Sequence, residues 1–326
     1  MGETADPSGD DDGVRKLVSS LPVDHAGTTV FVKGWHVEQT ARAPVVIVHD
    51  LGEQATLYRE TALTLARHGH SVYSYDLRGH GRSGRRLGHA PSFNVLIKDL
   101  LQVAAWARHK EHGRAPVLLG HGIGALIALS FAQDFASFCH GIILSAPSFE
   151  LATPVPVWMR LLIKALAEIS PTLRLPAFAC PRFIRESRSS QLESTGETDR
   201  IVYFPRLTAI FADALVHAIK AADSGRIDYK DPVLVLCPEN DVICSYAQLK
   251  KAAAMHGGHN LVLADLPNVG HDVFVDGETN RQEALRCILP WLAQLQTAEK
   301  IPGSHHLTLA MDDPASGQTA PETAIP

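Results

Sequence analysis

Residues 118–125 read Leu-Leu-Gly-His-Gly-Ile-Gly-Ala, and this octapeptide decides the fold. The apolar run at 116–119 has the composition of a buried strand, and a helical pattern follows the glycines. Gly120, Gly122 and Gly124 stand at alternate positions between them, and glycine tolerates the backbone angles of a sharp turn. The stretch therefore predicts a strand, a tight turn and a helix.

The segments on either side repeat this alternation of strand and helix. Residues 14–37 predict two antiparallel strands, and further strands are predicted at 44–48, 71–75, 141–144, 233–236 and 261–266. Predicted helices cover 55–69, 92–112, 122–135, 246–256 and 277–296. Strands that alternate with long helices form βαβ units. We therefore predict an α/β fold with a mostly parallel eight-stranded sheet flanked by helices.

The alternation stops between residues 150 and 226, where apolar helical segments occur without strands. We interpret this segment as a helical cap inserted into a core formed by 14–149 and 227–296. Residues 1–13 and 297–326 are polar and acidic, with net charges of −5 and −3. Such composition cannot bury enough apolar surface to fold, so both ends are predicted to be disordered tails.

The remaining charge and the cysteines limit the class of protein. The whole chain carries a net charge of −5, which leaves about +3 for residues 14–296. This positive charge is too small to predict strong binding to nucleic acid, but it is compatible with contact to anionic lipid. The five cysteines are dispersed without C-x-x-C spacing, which favours reduced thiols in the cytoplasm and gives no sign of a metal site. No secretory signal pattern and no stretch of 18 apolar residues is present.

Polar residues follow four of the predicted strands at their carboxyl ends, where working residues of a parallel sheet gather. His49 and Asp50 follow the first central strand, Gly122 the third, Asp241 the fifth and His271 the last. A turn after a strand, then an acid, then a histidine is the chain order of the Ser-Asp-His triad on such sheets. The turn itself fits the spacing G-x-S-x-G, with Gly122 where that motif has its serine nucleophile.

Five motifs give the chain a resemblance to α/β hydrolases of the monoacylglycerol lipase and lysophospholipase branch. They are HDLGEQ at 49–54, YDLRGHGRSG at 75–84, LLGHGIGA at 118–125, CPENDVIC at 237–244 and VGHDVF at 269–274. The resemblance extends from about residue 20 to residue 296, and the D-x-R-G-H-G-x-S loop is its most specific part.

The resemblance implies a role for several residues. Asp241 is the expected triad acid, His271 the expected general base, and the backbone N–H groups of Leu51 and Ile123 the expected oxyanion hole. The implied reaction is hydrolysis of a carboxylic ester of a long acyl chain through an acyl-enzyme, without a cofactor. Two residues depart from the family: Gly122 replaces serine, and Asp50 stands where relatives usually have glycine.

Three interpretations of Gly122 stay open at this point. The residue is a substitution made to silence an enzyme, or the mark of a natural protein that binds without hydrolysing, or the sign of a reaction in which His271 and Asp241 activate water directly. A fourth interpretation, a dinucleotide-binding G-x-G-x-x-A loop, lacks the acid expected about 20 residues later. An Asp50 side chain that points into the site opposes developing negative charge, and the sequence does not fix its direction.

The first predicted cap helix, at 155–169, carries a narrow polar stripe of Arg160, Lys164 and Glu168. Apolar residues cover the rest of the helix, which indicates an apolar channel beneath it, a membrane surface above it, or both. We therefore expect an acyl lipid as the ligand and peripheral contact with membranes. The predicted substrate-binding residues are His49, Asp50, His121, Trp158 and Leu162.

Overall fold

The structure is a computed structural model of the 326-residue chain. It describes residues 4–5, 13–24, 26–84, 86–149, 155–175, 206–223, 231–255 and 260–297. Within these ranges the chain folds as α/β, with one mixed, mostly parallel sheet and helices on both of its faces.

The sheet contains the eight predicted strands and a two-residue strand added at one edge. The strands are β1 Thr4–Ala5, β2 Val14–Pro22, β3 Thr29–Val37, β4 Val45–Val48, β5 Val72–Tyr75, β6 Val117–His121, β7 Gly141–Ser145, β8 Val233–Pro238 and β9 Leu261–Leu266. Their spatial order is β1-β2-β3-β5-β4-β6-β7-β8-β9. Strands β4 to β9 pair with one another in parallel. The pairs β1–β2, β2–β3 and β3–β5 are antiparallel.

Seven α-helices among the described residues connect or follow these strands. They are α1 Arg59–Arg67, α2 Phe93–Lys110, α3 Ile123–Asp134, α4 Val157–Ile169, α5 Ala209–Asp223, α6 Tyr246–Met255 and α7 Glu278–Thr297. The predicted helix at 55–69 is divided, because Ala55–Tyr58 forms a 3₁₀ turn before α1. Helix α7 contains Pro290 and continues through it to the end of the described chain.

The central strands are apolar along their whole length because both faces of the sheet are covered. Every residue of β4, Val45-Val46-Ile47-Val48, is fully buried. Val46 and Val48 contribute to a core cluster that includes α2 and α3, whereas Val45 and Ile47 contribute to one that includes α1 and α7. This arrangement is what the continuous apolar run predicts for a parallel strand.

Helices α4 and α5 lie between β7 and β8 in the chain, inside the segment predicted as a cap. An isolated bridge between Arg174 and Thr208 joins the chain just after α4 to the chain just before α5. Residues 150–154, 176–205 and 224–226 of the predicted cap, and most of both predicted tails, lie outside the described residues. Within the first tail, Thr4 and Ala5 pair with β2. None of the described helices is long and apolar enough to cross a membrane.

The loop after β5 is joined by hydrogen bonds to several segments near the carboxyl ends of the strands. The Asp76 carboxylate accepts hydrogen bonds from the backbone N–H groups of Ala55 and Arg82, each at 2.7 Å. The Arg78 guanidinium donates two hydrogen bonds to Asp99, at 2.7 and 2.8 Å, and one to Asp24 at 2.8 Å. These bonds hold the 76–84 loop against α2 and against the turn that follows β4.

Candidate active site

The turn between β6 and α3 is built on close backbone approach. Gly122 has φ +54° and ψ −116°, a conformation that L side chains rarely adopt. A β-carbon on Gly124 would lie 2.1 Å from the Val48 carbonyl oxygen, and one on Gly120 would lie 2.4 Å from the Gly124 carbonyl oxygen. Glycine at 120 and 124 therefore lets α3 start directly against β4 and β6, which is how the octapeptide sets the local fold.

Asp241 and His271 meet as the resemblance implied. Asp241 follows β8, and its Oδ1 accepts the backbone N–H groups of Ile243 at 2.7 Å and Cys244 at 2.8 Å. Its other oxygen, Oδ2, lies 2.8 Å from Nδ1 of His271. The two amides fix the carboxylate, so the carboxylate in turn fixes the orientation of the His271 ring.

The Asp50 side chain points into the site, which answers the question that the sequence left open. Its Oδ1 accepts the backbone N–H of Ile123 at 2.6 Å, and its Oδ2 lies 3.1 Å from Nε2 of His271. A β-carbon on Gly122 would lie 2.1 Å from the Asp50 carboxyl carbon. The carboxylate therefore occupies the space that a serine side chain at position 122 would need.

One carboxylate thus occupies three places that serine chemistry requires. It fills the nucleophile position above Gly122, it engages the Ile123 N–H that the resemblance assigned to the oxyanion hole, and it meets the ring nitrogen of the expected base. Leu51, the other expected oxyanion donor, is buried and directly follows Asp50. A buried negative charge at this point opposes the oxyanion that acyl transfer creates.

Asp50 and His271 each shift the pKa of the other toward its charged form. Burial alone would raise the pKa of Asp50, but the hydrogen bond and charge of His271 outweigh it and lower that pKa. Burial alone would likewise lower the pKa of His271, yet nearby Cys244 and the carboxylates of Asp241 and Asp50 raise it well above its ordinary value. Burial raises the pKa of the Cys244 thiol, so the two carboxylates are the anions that hold the imidazolium.

A second set of hydrogen bonds fixes the Asp50 loop. The Asp50 N–H donates to Glu53 at 2.9 Å, and the Tyr58 hydroxyl donates to the same carboxyl oxygen at 2.7 Å. Burial and the Asp50 carboxylate raise the pKa of Glu53 to about 7. Neither Glu53 nor Tyr58 was predicted from the sequence to have a role in the site, although Glu53 lies within the motif HDLGEQ.

His49 was predicted to contact substrate, and the structure gives it a different position. Its ring is fully buried, with Nδ1 2.6 Å from the Asp50 carbonyl oxygen and Nε2 accepting the Leu77 N–H at 2.9 Å. Burial, followed by the nearby His80, lowers the pKa of His49 to about 3. Both ring nitrogens are engaged, so His49 joins the two loops instead of facing a ligand.

His121, also predicted to contact substrate, lies beside the triad at the end of β6. Its ring centroid is 5.1 Å from that of His271, and its Nδ1 lies 3.2 Å from the Ser145 hydroxyl oxygen. Nε2 is buried and has no hydrogen-bond partner among the described residues. Burial and the charge of His271 lower the pKa of His121, which keeps its ring neutral. Asp272, which follows His271 in the chain, also has a shifted pKa. Burial and the Glu53 carboxylate raise the pKa of Asp272 to about 6.

The two cap residues predicted to line the site are exposed, unlike the buried side chains of the site itself. Trp158 and Leu162 on α4 are 64% and 49% exposed, whereas the side chains of Asp50 and His271 are at most 4% exposed. Leu161 on the same helix is also 64% exposed. Much of the apolar side-chain surface of α4 is therefore exposed, although Ile163 on the same helix is buried.

A cavity of about 630 Å³ lies between the core and α5. Apolar side chains from α2, α3 and α5, with Phe149, form much of its wall, and Leu126 places it one turn along α3 from Ile123. Polar residues also line it, and Asp50, Asp241 and His271 do not; the polar lining residues are Ser92, Asn94, Ser130, Gln133, Asp134, Asp213 and His217. This volume lies within the range of ligand pockets for small organic molecules.

Comparisons with known proteins agree with this architecture. The family described as serine aminopeptidase, S33 matches residues 39–278. The monoacylglycerol lipase of Mycolicibacterium smegmatis is 24% identical over 284 residues, covering 85% of this chain and 99% of the relative. The human monoglyceride lipase is 25% identical over 281 residues, covering 80% of this chain and 91% of the relative.

A solved structure gives the same result. The monoacylglycerol lipase of Paleococcus ferrophilus superposes with a TM-score of 0.66 at 24% identity, covering 82% of this chain and 99% of the other. Together with the order of the strands and the positions of Gly122, Asp241 and His271, these matches identify the chain as a monoacylglycerol lipase-like member of the serine aminopeptidase S33 family of α/β hydrolases.

Proposed function

We propose that this chain binds acyl-chain lipid esters at a site derived from a serine hydrolase and does not hydrolyse them through an acyl-serine. The observation that carries the proposal is the position of Asp50, whose carboxyl carbon lies 2.1 Å from where a β-carbon on Gly122 would stand. Loss of a triad serine alone costs on the order of 10⁶ in kcat. Here the remaining base and the Ile123 N–H are also engaged by the carboxylate.

The fit between Asp50 and Gly122 bears on the three interpretations of the glycine. A single substitution made to silence an enzyme would leave a small residue at position 50 and a vacant space above the turn. Two changes that complement each other in volume favour a natural site. Direct activation of water by His271 is disfavoured, because both of its ring nitrogens already lie within hydrogen-bond distance of a carboxylate.

Two observations support an acyl lipid as the ligand class. The relatives that align along most of this chain are named monoacylglycerol and monoglyceride lipases. The cavity beside α3 has an apolar wall and enough volume for a medium-length acyl chain. The exposed apolar residues of α4 supply a surface for peripheral contact with a membrane that holds such lipids.

The test compares the unmodified chain with Gly122→Ser, Asp50→Gly and the double variant Asp50→Gly/Gly122→Ser. Each protein is assayed with a medium-chain monoacylglycerol and a fluorophosphonate probe, in the presence of EDTA. We expect turnover and labelling in the double variant alone, because Asp50 excludes the serine side chain in the single variant. Turnover by the unmodified chain at a rate typical of lipases would overturn the proposal.

Binding is measured separately, by calorimetry with a non-hydrolysable monoalkyl glycerol ether. We expect saturable binding to the unmodified chain with a dissociation constant in the micromolar range or below. Leu126→Trp, which places a large ring in the wall of the cavity, is expected to weaken that binding. Absence of binding at high ligand concentration would reject the lipid-binding part of the proposal while leaving the part concerning serine chemistry to the turnover assay.

A further inference from the structure

The site holds more buried acid than serine chemistry uses. Asp50 and Asp241 lie within hydrogen-bond distance of the His271 ring, and Glu53 accepts the Asp50 N–H. Glu53, His121 and Asp272 also each place one ligating atom within 4.8 Å of the others. Buried carboxylates are expensive unless protons, cations or metal ions neutralise them. A bound cation would neutralise this concentration of acid.

Two histidines and a carboxylate provide that geometry. Asp50, His121 and His271 each offer one ligating atom, and these atoms all lie within 4.8 Å of one another. Asp50 Oδ2 and His271 Nε2 are 3.1 Å apart, close to the roughly 3.3 Å that separates neighbouring ligands around tetrahedral zinc with bonds of about 2.0–2.1 Å. All three residues are buried.

Both histidines have the outer partners that metal-ligating histidines require. His271 keeps Nδ1 on the Asp241 carboxylate, which is itself held by two backbone amides. His121 has Nδ1 beside the Ser145 hydroxyl, so its buried Nε2, which has no partner among the described residues, is the nitrogen left for an ion. Such outer contacts set the ring orientation and the tautomer of a ligand.

We propose that Asp50, His121 and His271 bind one divalent transition-metal ion, with Zn²⁺ as the ion whose ligand preferences match this set. The ion would replace the hydrogen bond between Asp50 Oδ2 and His271 Nε2, and its proton would be released to solvent on binding. Three protein ligands leave a fourth position for water or another oxygen donor. A shift of His121 toward the other two closes the set, and this movement costs Nε2 no hydrogen bond within the described structure. This inference departs from the expectation, drawn from the cysteine spacing, that the chain has no metal site.

The proposal explains the paired departures from the family in one step. Serine at position 122 would place its side chain where the Asp50 carboxylate lies. Glycine there makes room for a carboxylate beside the existing histidine. The substitution of Gly by Asp at position 50 then supplies the third ligand to His121 and His271. The inference does not depend on lipid binding, and it stands or falls on metal affinity.

The test uses the full chain, stripped with EDTA and titrated with Zn²⁺ and then with Co²⁺. We expect one equivalent of bound metal by elemental analysis, a thermal midpoint raised by several degrees, and the visible absorption of four-coordinate Co²⁺. His121→Gln and the isosteric Asp50→Asn should each weaken binding by at least tenfold. His80→Gln, a buried histidine outside the ligand set, serves as the matched control and should bind like the unmodified chain.

Two outcomes would overturn the metal site. One is the absence of stoichiometric binding by the stripped protein. The other is binding that both ligand variants retain, since a chain with 17 histidines offers surface sites for Zn²⁺. Circular dichroism and thermal unfolding of each variant in EDTA establish that it is folded, so a loss of affinity is assigned to the ligand and not to a loss of structure.

Discussion

The Asp50 carboxyl carbon lies 2.1 Å from the point where a β-carbon on Gly122 would stand. Two residues 72 positions apart in the chain therefore compete for one small volume. The tight turn at Gly122 has no side chain of its own, and the side chain above it comes from the end of the neighbouring strand. This relationship makes the stability and chemistry of the two positions interdependent.

Gly122→Ser should destabilise the protein by about 1–3 kcal/mol, because the new side chain overpacks against Asp50. The same substitution in an Asp50→Gly background should cost less, with a coupling energy of about 0.5–3 kcal/mol between the two positions. Urea unfolding of the four proteins in EDTA measures this cycle.

Gly113→Ser provides the control for backbone strain. Gly113 has φ +85°, and a β-carbon there meets nothing within 4 Å, so this variant reports the cost of positive φ without a clash. Equal destabilisation by Gly122→Ser and Gly113→Ser, or additive energies at positions 50 and 122, would contradict the overlap.

His271 should remain an imidazolium at neutral pH in the metal-free protein. Asp241 and Asp50 accept from its two nitrogens and raise its pKa well above the ordinary value, against the effect of burial. The stability gained from this protonation is fully present below the ordinary pKa of histidine and is lost as pH rises through the raised pKa.

The measurement is an NMR titration of the imidazole resonances in EDTA. Asp50→Asn removes a charged acceptor, so it should lower the pKa of His271. Asp265→Asn, at an exposed pair with Lys250, should leave it unchanged. A His271 ring that titrates near 6.5 in the unmodified protein would show that the two carboxylates do not hold the proton.

Glu111 should stabilise the fold at neutral pH but not in strong acid. Burial alone would raise the pKa of Glu111, but hydrogen bonds from His36 and Tyr73 outweigh it and lower the value to about 2. The depressed pKa contributes stability above the unfolded value of about 4.3, at most about 3 kcal/mol, and this is lost as pH falls toward 2.

Glu111→Gln should therefore be less stable than the parent at pH 7 and approach it near pH 2, as measured by urea unfolding. Glu283→Gln tests an acid in a pair with Arg286, which is 71% exposed. This substitution should change the free energy of unfolding by no more than about 0.5 kcal/mol at every pH, because exposed ion pairs contribute little to stability. A pH-independent difference at position 111 would indicate lost packing instead of a shifted pKa.

Trp158→Ser should weaken the association of the protein with lipid vesicles. The indole is 64% exposed, and transfer of a large aromatic side chain from water to an apolar phase is worth about 1.5–3 kcal/mol, or roughly tenfold or more in partitioning. Co-sedimentation with vesicles of mixed anionic and zwitterionic phospholipid gives the partition coefficient.

Val262→Ser changes an apolar side chain on β9, which is 46% exposed, and should leave vesicle binding unaltered. Equal losses from the two variants would mean that α4 is not a specific contact surface. Retention of full binding by Trp158→Ser would have the same meaning.

The strands and the chain order of the site residues were predictable because both depend on local pattern. The apolar run Val45-Val-Ile-Val48 is buried on both faces, and His271 and Asp241 follow strand ends as expected. The direction of the Asp50 side chain was not predictable, since it depends on Glu53 and His49 from the same loop and on Ile123 and His271 from elsewhere.

The cap illustrates a second limit of the sequence. The pattern of α4 gave its narrow polar stripe correctly but did not tell which apolar residues face the core. Ile163 is buried, whereas Trp158 and Leu162, which we expected near the substrate, are exposed. Amphipathic period fixes the relative directions of side chains around a helix, and only tertiary packing determines which of those directions points inward.

The overlap of Asp50 with Gly122 also makes the order of substitutions at these two positions matter. Serine introduced first at position 122 meets the carboxylate, and glycine introduced first at position 50 leaves His271 without one of its two carboxylate partners. Either substitution alone is therefore expected to cost stability, whereas the two together are compatible in volume. Positions 50 and 122 are thus expected to change as a pair, which is epistasis between two neighbouring loops.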